Sequence, residues 1–342
     1  MKRLVLLFMT LLMLFPLVGC GKEPEKEKFT AYYFDWFDTA TVITGYEETK
    51  EEFDSVVGEI SKIFDKYHKL YDIYHKYEGV NNMAVINDAN APVNVADEII
   101  DLMVFSEEMY ELTEGKFNVA MGSVLSIWHD YRKEGKRLPP MDKLMAAAEH
   151  TDMDDVVIDR ENGTVFLPDG NMRLDVGAVA KGYACEMAAQ YLIENGISGY
   201  VINAGGNVRT VGTKPDGSAW TVGIENPDRE DGENPYIAYL TLKGQSLVTS
   251  GSYQRFYTVD GKNYHHIIDP DTLMPAEKYL SVSVLCNDSG MADALSTALF
   301  NMDHEDGVRL VNTLSDVHVL WVLTDGEVKM TDGFAAYMTN VD

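Results

Sequence analysis

Cysteine is scarce: the 342-residue chain has three. None sits in a CxxC pair or in a Cys/His spacing of the kind zinc takes. Cys20 closes an N-terminal apolar run, which leaves Cys185 and Cys286. Both lie in apolar stretches that read as core, and the sequence leaves open whether they pair. Positive charge is scarce too. Lys and Arg total 28 against 55 Asp and Glu, for a net charge of −27 at pH 7. Such a surface repels phosphodiester backbones, so a nucleic-acid partner is excluded. What is plentiful is apolar: 46% hydrophobic and 11% aromatic residues. That suffices for one large domain or two ordinary ones.

The N-terminus, MKRLVLLFMTLLMLFPLVGC, has two basic residues, an apolar run broken by Pro16, and small residues at its end. It reads as an export signal and is left out of fold reasoning. Its end, Leu17-Val18-Gly19-Cys20, resembles a bacterial lipobox, in which the Cys becomes the lipid-modified first residue. The expected organisation is a signal over 1–19, a charged Pro-containing tether over 20–29, and one domain over 30–342. Cys20 is then a lipid anchor of the palmitate-bearing type. The protein is placed at a bacterial cell membrane, on its extracytoplasmic face.

Ala31 to Tyr46 is rich in aromatic and β-branched residues and predicts a strand pair. Glu48 to Tyr71 is an amphipathic helix with Phe53, Val56, Val57, Ile60, Ile63 and Phe64 on one stripe. Residues 72–95 read as a long Asn- and Asp-rich loop, and Asp97 to Glu114 as a helix. LPPMDKL reads as a helix start with Pro at its opening. VVIDRENGTVFLP is a hairpin turning at Asn162-Gly163, and DVGAVAKGYACEMAAQYLIENG a loop into a helix closed by Gly196. Strands follow at 199–203, 207–213, 219–225, 236–243, 246–249 and in SVSVLC, with a helix over 291–300 and a final hairpin at Asp325-Gly326. Helices and strands mix without regular alternation, so the class is α+β.

Four stretches invite chemistry. MADALSTALF carries Asp293 and Thr297 one helical turn apart on one face. Asp293 reads either as a first-turn residue facing the helix dipole or as a hard oxygen ligand paired with Thr297. DVGAVAKG offers exposed amides and Lys181, either a phosphate loop or an ordinary helix start. INAGGNVRTVG does not open a helix, which excludes a dinucleotide fingerprint and leaves a tight turn. YHHIIDPDTLMP places two adjacent His residues on opposite sides of extended chain, one for the interior and one for solvent. Ser250 and Ser252 lack the strand–elbow–helix pattern of hydrolases.

In this order and spacing the four stretches resemble the flavin transferase family often called ApbE or Ftp, over roughly residues 30 to 335. The resemblance implies a T-fold-like α+β domain of antiparallel sheets and packed helices. It implies an enzyme that takes FAD, moves the FMN half to a Thr or Ser hydroxyl of an exported acceptor flavoprotein (an Rnf- or Nqr-type subunit or similar), and releases AMP. Mg²⁺ is the implied metal. Asp175 and Lys181 then match flavin-nucleotide contacts, and Ala178 lends a carbonyl to the metal. Asp293 and Thr297 match metal ligands, with Ser296 close by. Ile267 faces the flavin, and Lys116, Phe117 and Asn118 meet the adenosine half. Phe37 and Tyr74 join the FAD-binding set. Asp293 is also placed in the catalytic machinery. His266 stands as either the base for the attacking hydroxyl or a binding residue. Two other readings share this site: an Mg²⁺-dependent FAD pyrophosphatase and an FAD-binding lipoprotein.

Three departures from the family pattern stand out. Where the family usually reads Met-Gly-Thr, this chain has Phe37-Asp38-Thr39. Phe-Asp becomes Phe117-Asn118, and the Gly that ends Asp-Pro-x-Thr-Gly becomes Leu273.

Overall fold

Aromatic and β-branched residues at the start of the domain form a hairpin, β1 (Glu27–Trp36) and β2 (Thr39–Glu47). The structure, a computed structural model, describes residues 25–229 and 234–340; the signal, most of the tether and Cys20 lie outside them. Helix α1 (Lys50–Tyr71) follows, started by a capping box in which Thr49 and Glu52 satisfy each other's amides. Its stripe of Phe53, Val57, Ile60 and Phe64 is buried. The stretch expected as a bare loop holds a short helix, α2 (Met83–Asn87), and a short strand, β3 (Val93–Asn94). The Asn82 side chain caps α2 and also donates to the carbonyls of Lys69 and His75, which organises the segment without apolar periodicity.

Next come α3 (Asp97–Leu112), α4 (Gly122–Glu134), α5 (Met141–Ala148), β4 (Val157–Asp159) and β5 (Thr164–Phe166). The second half holds α6 (Ala180–Glu194), β6 (Tyr200–Ala204), β7 (Asn207–Val211), β8 (Trp220–Glu225), β9 (Tyr236–Leu242) and β10 (Ser246–Gly251). It closes with β11 (Phe256–Val259), β12 (Lys262–His265), β13 (Tyr279–Cys286), α7 (Ser289–Asn301), α8 (His304–Val311), β14 (His318–Leu323), β15 (Val328–Met330) and β16 (Met338–Thr339).

Eight of these strands build one antiparallel sheet in the order β1-β2-β6-β7-β10-β13-β14-β15. Its central strands are covered on both faces. Val248, Val284 and Val319 face the main core with α1, α6 and α7, while their neighbours Leu247, Leu285 and Leu320 pack with Leu240, Leu242 and Ile224 of the small β16-β9-β8 sheet. The period of two along each strand therefore serves two cores. The class is α+β, as the irregular alternation predicts, in a single domain. Among the described residues Cys185 and Cys286 are both buried and unpaired.

One buried ion pair joins the layers. Arg209 on β7 and Glu186 on α6 are each 4% exposed. Arg209 Nε donates to Glu186 Oε2 at 2.8 Å and Nη2 to Oε1 at 3.1 Å. Glu186 Oε2 also accepts from the Ser289 amide at 2.8 Å, at the first residue of α7. Its Nη1 donates to the carbonyls of Thr210 and Gly244. Removing one partner leaves the other charge buried and unpaired. Arg209→Leu is therefore expected to destabilise the fold by about 3–5 kcal/mol, read by urea unfolding. A change below about 1 kcal/mol, the scale of a surface pair, would contradict this reading of the pair.

Candidate active site

The loop between β5 and α6 is fixed before it reaches its helix. The Asp175 amide donates to the Val119 carbonyl at 2.7 Å, and Asp175 Oδ1 accepts from the Gly177 amide at 2.9 Å. Helix α6 then brings Lys181 and Gly182 against α7. A side chain at Gly182 would collide with the Ser289 carbonyl and with Asp293, so glycine is what lets the two helices touch. Across the contact the Gly182 amide donates to Asp293 Oδ2 at 2.9 Å.

The two readings of Asp293 separate here. Helix α7 begins at Ser289, and its N-cap is Asp288, whose side chain accepts from the Met291 amide. The dipole role is taken by Asp288. Asp293 lies a turn further in, 4% exposed, with Lys181 Nζ at 3.7 Å. Burial raises its pKa; Lys181 and the Gly182 amide act against that. Thr297, one turn on, lines the same cavity.

That cavity has a volume of about 260 Å³. In a chain with so few cations it gathers four: Lys116, Arg132, Lys181 and Arg255, against the carboxylates of Asp175 and Asp293. It is shaped and charged for an anionic ligand. Burial also raises the pKa of Asp175, opposed by the Gly177 amide, His129 and Arg132.

The two adjacent histidines divide as alternation predicts. His265 is 8% exposed. Its Nε2 donates to the Ala276 carbonyl at 2.7 Å and its Nδ1 accepts from the Ile267 amide at 3.2 Å, which fixes one neutral tautomer. His266 opens to the cavity, with Nδ1 at 3.3 Å from the Arg255 carbonyl. A carbonyl only accepts, so Nδ1 carries the hydrogen and Nε2 the lone pair. The walls around the imidazole and the nearby charges of Arg255 and Lys181 push its pKa down to about 3.

Ten of the residues expected at the site line the cavity: Tyr74, Lys116, Asn118, Asp175, Ala178, Lys181, His266, Ile267, Asp293 and Thr297. Three do not. Phe117 is fully buried in the main core and presents no surface to a ligand. Ser296 is also fully buried; its hydroxyl is bound to the Asp293 carbonyl at 2.9 Å and to Ser250 Oγ at 2.8 Å, so it braces α7 on β10. Phe37 lines a second cavity of about 340 Å³, which shares Tyr74, Asp175, Gly177, Lys181 and Arg255 with the first. Cys20 lies outside the described residues. Sequence reasoning missed Arg132, Arg255 and His129. Arg132 looks like an ordinary basic residue in the last turn of a helix, and Arg255 sits in a polar-aromatic loop; only the fold turns them inward.

Two of the departures from the family pattern fall on special backbone. Asp38 and Phe37 have φ of 51° and 53°, and Leu273 has φ of 59°. These are conformations that glycine adopts freely and other residues at a cost of roughly 1–2 kcal/mol. Leu273 is 8% exposed and packs with Trp128, Tyr257 and Ile268. Burying a leucine side chain contributes about 1.5–3 kcal/mol, enough to offset the strain. The tip at Phe37-Asp38 is held instead by His68 Nδ1, which accepts from the Phe37 amide at 3.3 Å, and by Arg255 Nη2, which donates to the Asp38 carbonyl at 3.0 Å.

A family model described as the ApbE family matches residues 37–321. An FAD:protein FMN transferase of Klebsiella pneumoniae (strain 342) is 32% identical over 238 residues, covering 69% of this chain and 72% of that protein. The protein of the same description from Treponema pallidum (strain Nichols) is 32% identical over 258 residues, covering 71% and 70%. Among solved structures, the ApbE protein of Thermotoga maritima MSB8 matches with a TM-score of 0.80 at 30% identity, over 92% of this chain and 100% of that one.

The charge of the cavity gives a test by titration. In the free protein the His266 imidazole is expected to stay neutral down to at least pH 5, since its pKa of about 3 lies well below the ordinary 6.5. Inorganic pyrophosphate, by pairing the cations, is expected to raise that midpoint. An NMR titration of the His266 ring checks both; a midpoint near 6.5 without ligand would refute the assignment.

Proposed function

This chain belongs to the ApbE family, and on that premise we propose that it transfers the FMN half of FAD to a Thr or Ser hydroxyl of an exported acceptor flavoprotein, with release of AMP. The observation that carries the reading is the cavity. It is cationic in a chain of net charge −27, it holds one buried carboxylate beside a hydroxyl, and a neutral imidazole opens into it.

The donor set fits Mg²⁺. Asp293 is a buried carboxylate whose proton affinity is raised and whose nearest cation is 3.7 Å away, a position that favours an added positive charge. Asp293, the Thr297 hydroxyl and the Ala178 carbonyl would hold the ion, all through hard oxygens. Among the described residues no group of three or more His, Cys, Asp or Glu forms a metal cage. Mg²⁺ needs none, because it usually keeps substrate phosphate and water among its ligands. When bound it supplies charge neutralisation at the phosphates.

Lys181, Arg132 and Arg255 would hold the diphosphate, with Asp175 ordering the loop through the Gly177 amide. Tyr74, Lys116, Asn118 and Ile267 complete the FAD set. Lys116 is itself oriented by Asp269 at 3.3 Å and Asp271 at 2.6 Å. In the reaction the acceptor hydroxyl oxygen bonds to the phosphorus of the FMN half. The bond to the AMP phosphate breaks, and AMP leaves with its electron pair. The hydroxyl proton passes to Nε2 of His266, which the Arg255 carbonyl keeps free of hydrogen. Once the diphosphate pairs the surrounding cations, the imidazole regains the basicity they suppress.

The lipobox and the charged tether support a lipid-anchored position outside the cytoplasm. There a flavin held loosely is lost by diffusion, and a covalent bond keeps it. No helix among the described residues is long and apolar enough to cross a membrane.

Two experiments test the reading. With FAD, Mg²⁺ and an exported flavoprotein from the same cell, mass spectrometry is expected to find FMN on one Thr or Ser of the acceptor. Asp293→Asn, which keeps shape and removes charge, is expected to lower that rate by about 10²–10³, the cost of one electrostatic stabiliser, with circular dichroism unchanged. Stoichiometric AMP and free FMN without any adduct would favour a pyrophosphatase. Separately, Cys20→Ala is expected to move the protein from the membrane to the soluble fraction with its transfer rate intact. Retention on salt-washed membranes would place the anchor elsewhere.

A further inference from the structure

We propose that β1 is the docking strand for the acceptor: an extended segment of the partner, carrying the hydroxyl residue, adds to the outer edge of β1 and is led into the second cavity. The inference rests on the transfer reading above and names how its protein substrate is held.

Among the described residues β1 pairs with β2 alone and ends the large sheet. Natural sheets keep free edges short, charged or covered, because unpaired amides and carbonyls recruit other chains. The opposite edge obeys that rule: β15 has three residues. β1 has ten, and at about 3.4 Å per residue it offers roughly 34 Å of unpaired backbone. Two residues apart on its outward face stand Tyr32 and Phe34, 65% and 72% exposed. On the other face Phe29 and Tyr33 pack inward on Phe53 and Trp36. An open edge with alternate aromatic side chains is what strand addition uses: main-chain bonds for affinity, side chains for choice of partner.

The strand points at the chemistry. Asp35, Phe37 and Asp38, at its end and turn, line the second cavity, which runs into the first through Tyr74, Asp175, Gly177, Lys181 and Arg255. The pairing register shifts between Tyr33 and Trp36, which bends the edge where it reaches that mouth. Arg255 holds the Asp38 carbonyl while lining the diphosphate cavity, so the end of the docking edge and the reacting phosphates share one side chain. A segment laid along β1 therefore continues toward the cavity that holds Lys181 and His266.

The test uses the full chain, an exported flavoprotein domain that the wild-type protein flavinylates, and synthetic peptides spanning its acceptor residue. Tyr32→Ser/Phe34→Ser lies outside the catalytic machinery. It is expected to raise KM for the flavoprotein on the order of tenfold, the loss typical of interface aromatics, with KM for FAD and Tm unchanged. Peptides N-methylated at alternate amides are expected to split by parity, one set losing acceptor activity and the other keeping it, since successive amides of a strand point to opposite edges. An unchanged acceptor KM in the folded double variant overturns the proposal. So does equal behaviour of the two methylated sets, or a wild-type dimer that the double variant dissolves while acceptor KM stays the same. If the wild-type protein yields only AMP and FMN, the transfer reading itself fails, and that is known before any β1 variant is made.

Discussion

Helices α6 and α7 meet where no side chain separates them, and the cavity depends on that contact. Gly182 leaves room for the Ser289 carbonyl and for Asp293, and its amide holds the Asp293 carboxylate. The Glu186–Arg209 pair fixes the same two helices from below, because Glu186 takes the Ser289 amide as well as the β7 guanidinium. Ser296 and Ser250 fasten the next turn of α7 to β10. Asp293 and Lys181 are thus set by three independent hydrogen-bonded links between buried backbone elements. Buried polar links that are fully satisfied rigidify the elements they join.

Electrostatics sets the cavity apart from the rest of the surface. The chain is strongly acidic, yet the few cations that turn inward do so together. A surface of one sign with a pocket of the other discourages most anions from the exterior and still binds one that fits the pocket. The low pKa of His266 comes first from burial and then from the same cations, Arg255 and Lys181 among them, so the imidazole senses the charge of the cavity.

Departures from a family pattern can be judged by the backbone beneath them. At Asp38 and Leu273 the family's glycine is gone, but the positive φ remains. The strain is met in two ways: at Leu273 by burial against Trp128 and Tyr257, at the hairpin tip by hydrogen bonds from Phe37 and to Asp38. Neither substitution removes the turn. Asn118 differs, since the change from a carboxylate removes a charge; its amide instead donates to the Thr151 carbonyl and its oxygen accepts from the Ala120 amide.

Periodicity and motif determined a good deal by themselves. The amphipathic stripe of α1, the hairpins at Asn162-Gly163 and Asp325-Gly326, the α+β class and the Asp293/Thr297 pair were all legible, because each depends on residues close in the chain. The DVGAVAKG loop was legible as either a phosphate loop or an ordinary helix start. The tertiary structure alone decided the rest. It gave the dipole role to Asp288 and turned Ser296 and Phe117 away from the cavity. It folded Arg132 and Arg255 in from segments with no periodic or motif signal. Among the described residues it left β1 at the end of the sheet, a position set by strand order and not by the strand's own residues. Local sequence fixes which side of a helix or strand is apolar. Which polar residue meets a ligand depends on how distant segments cross, and that is decided by packing.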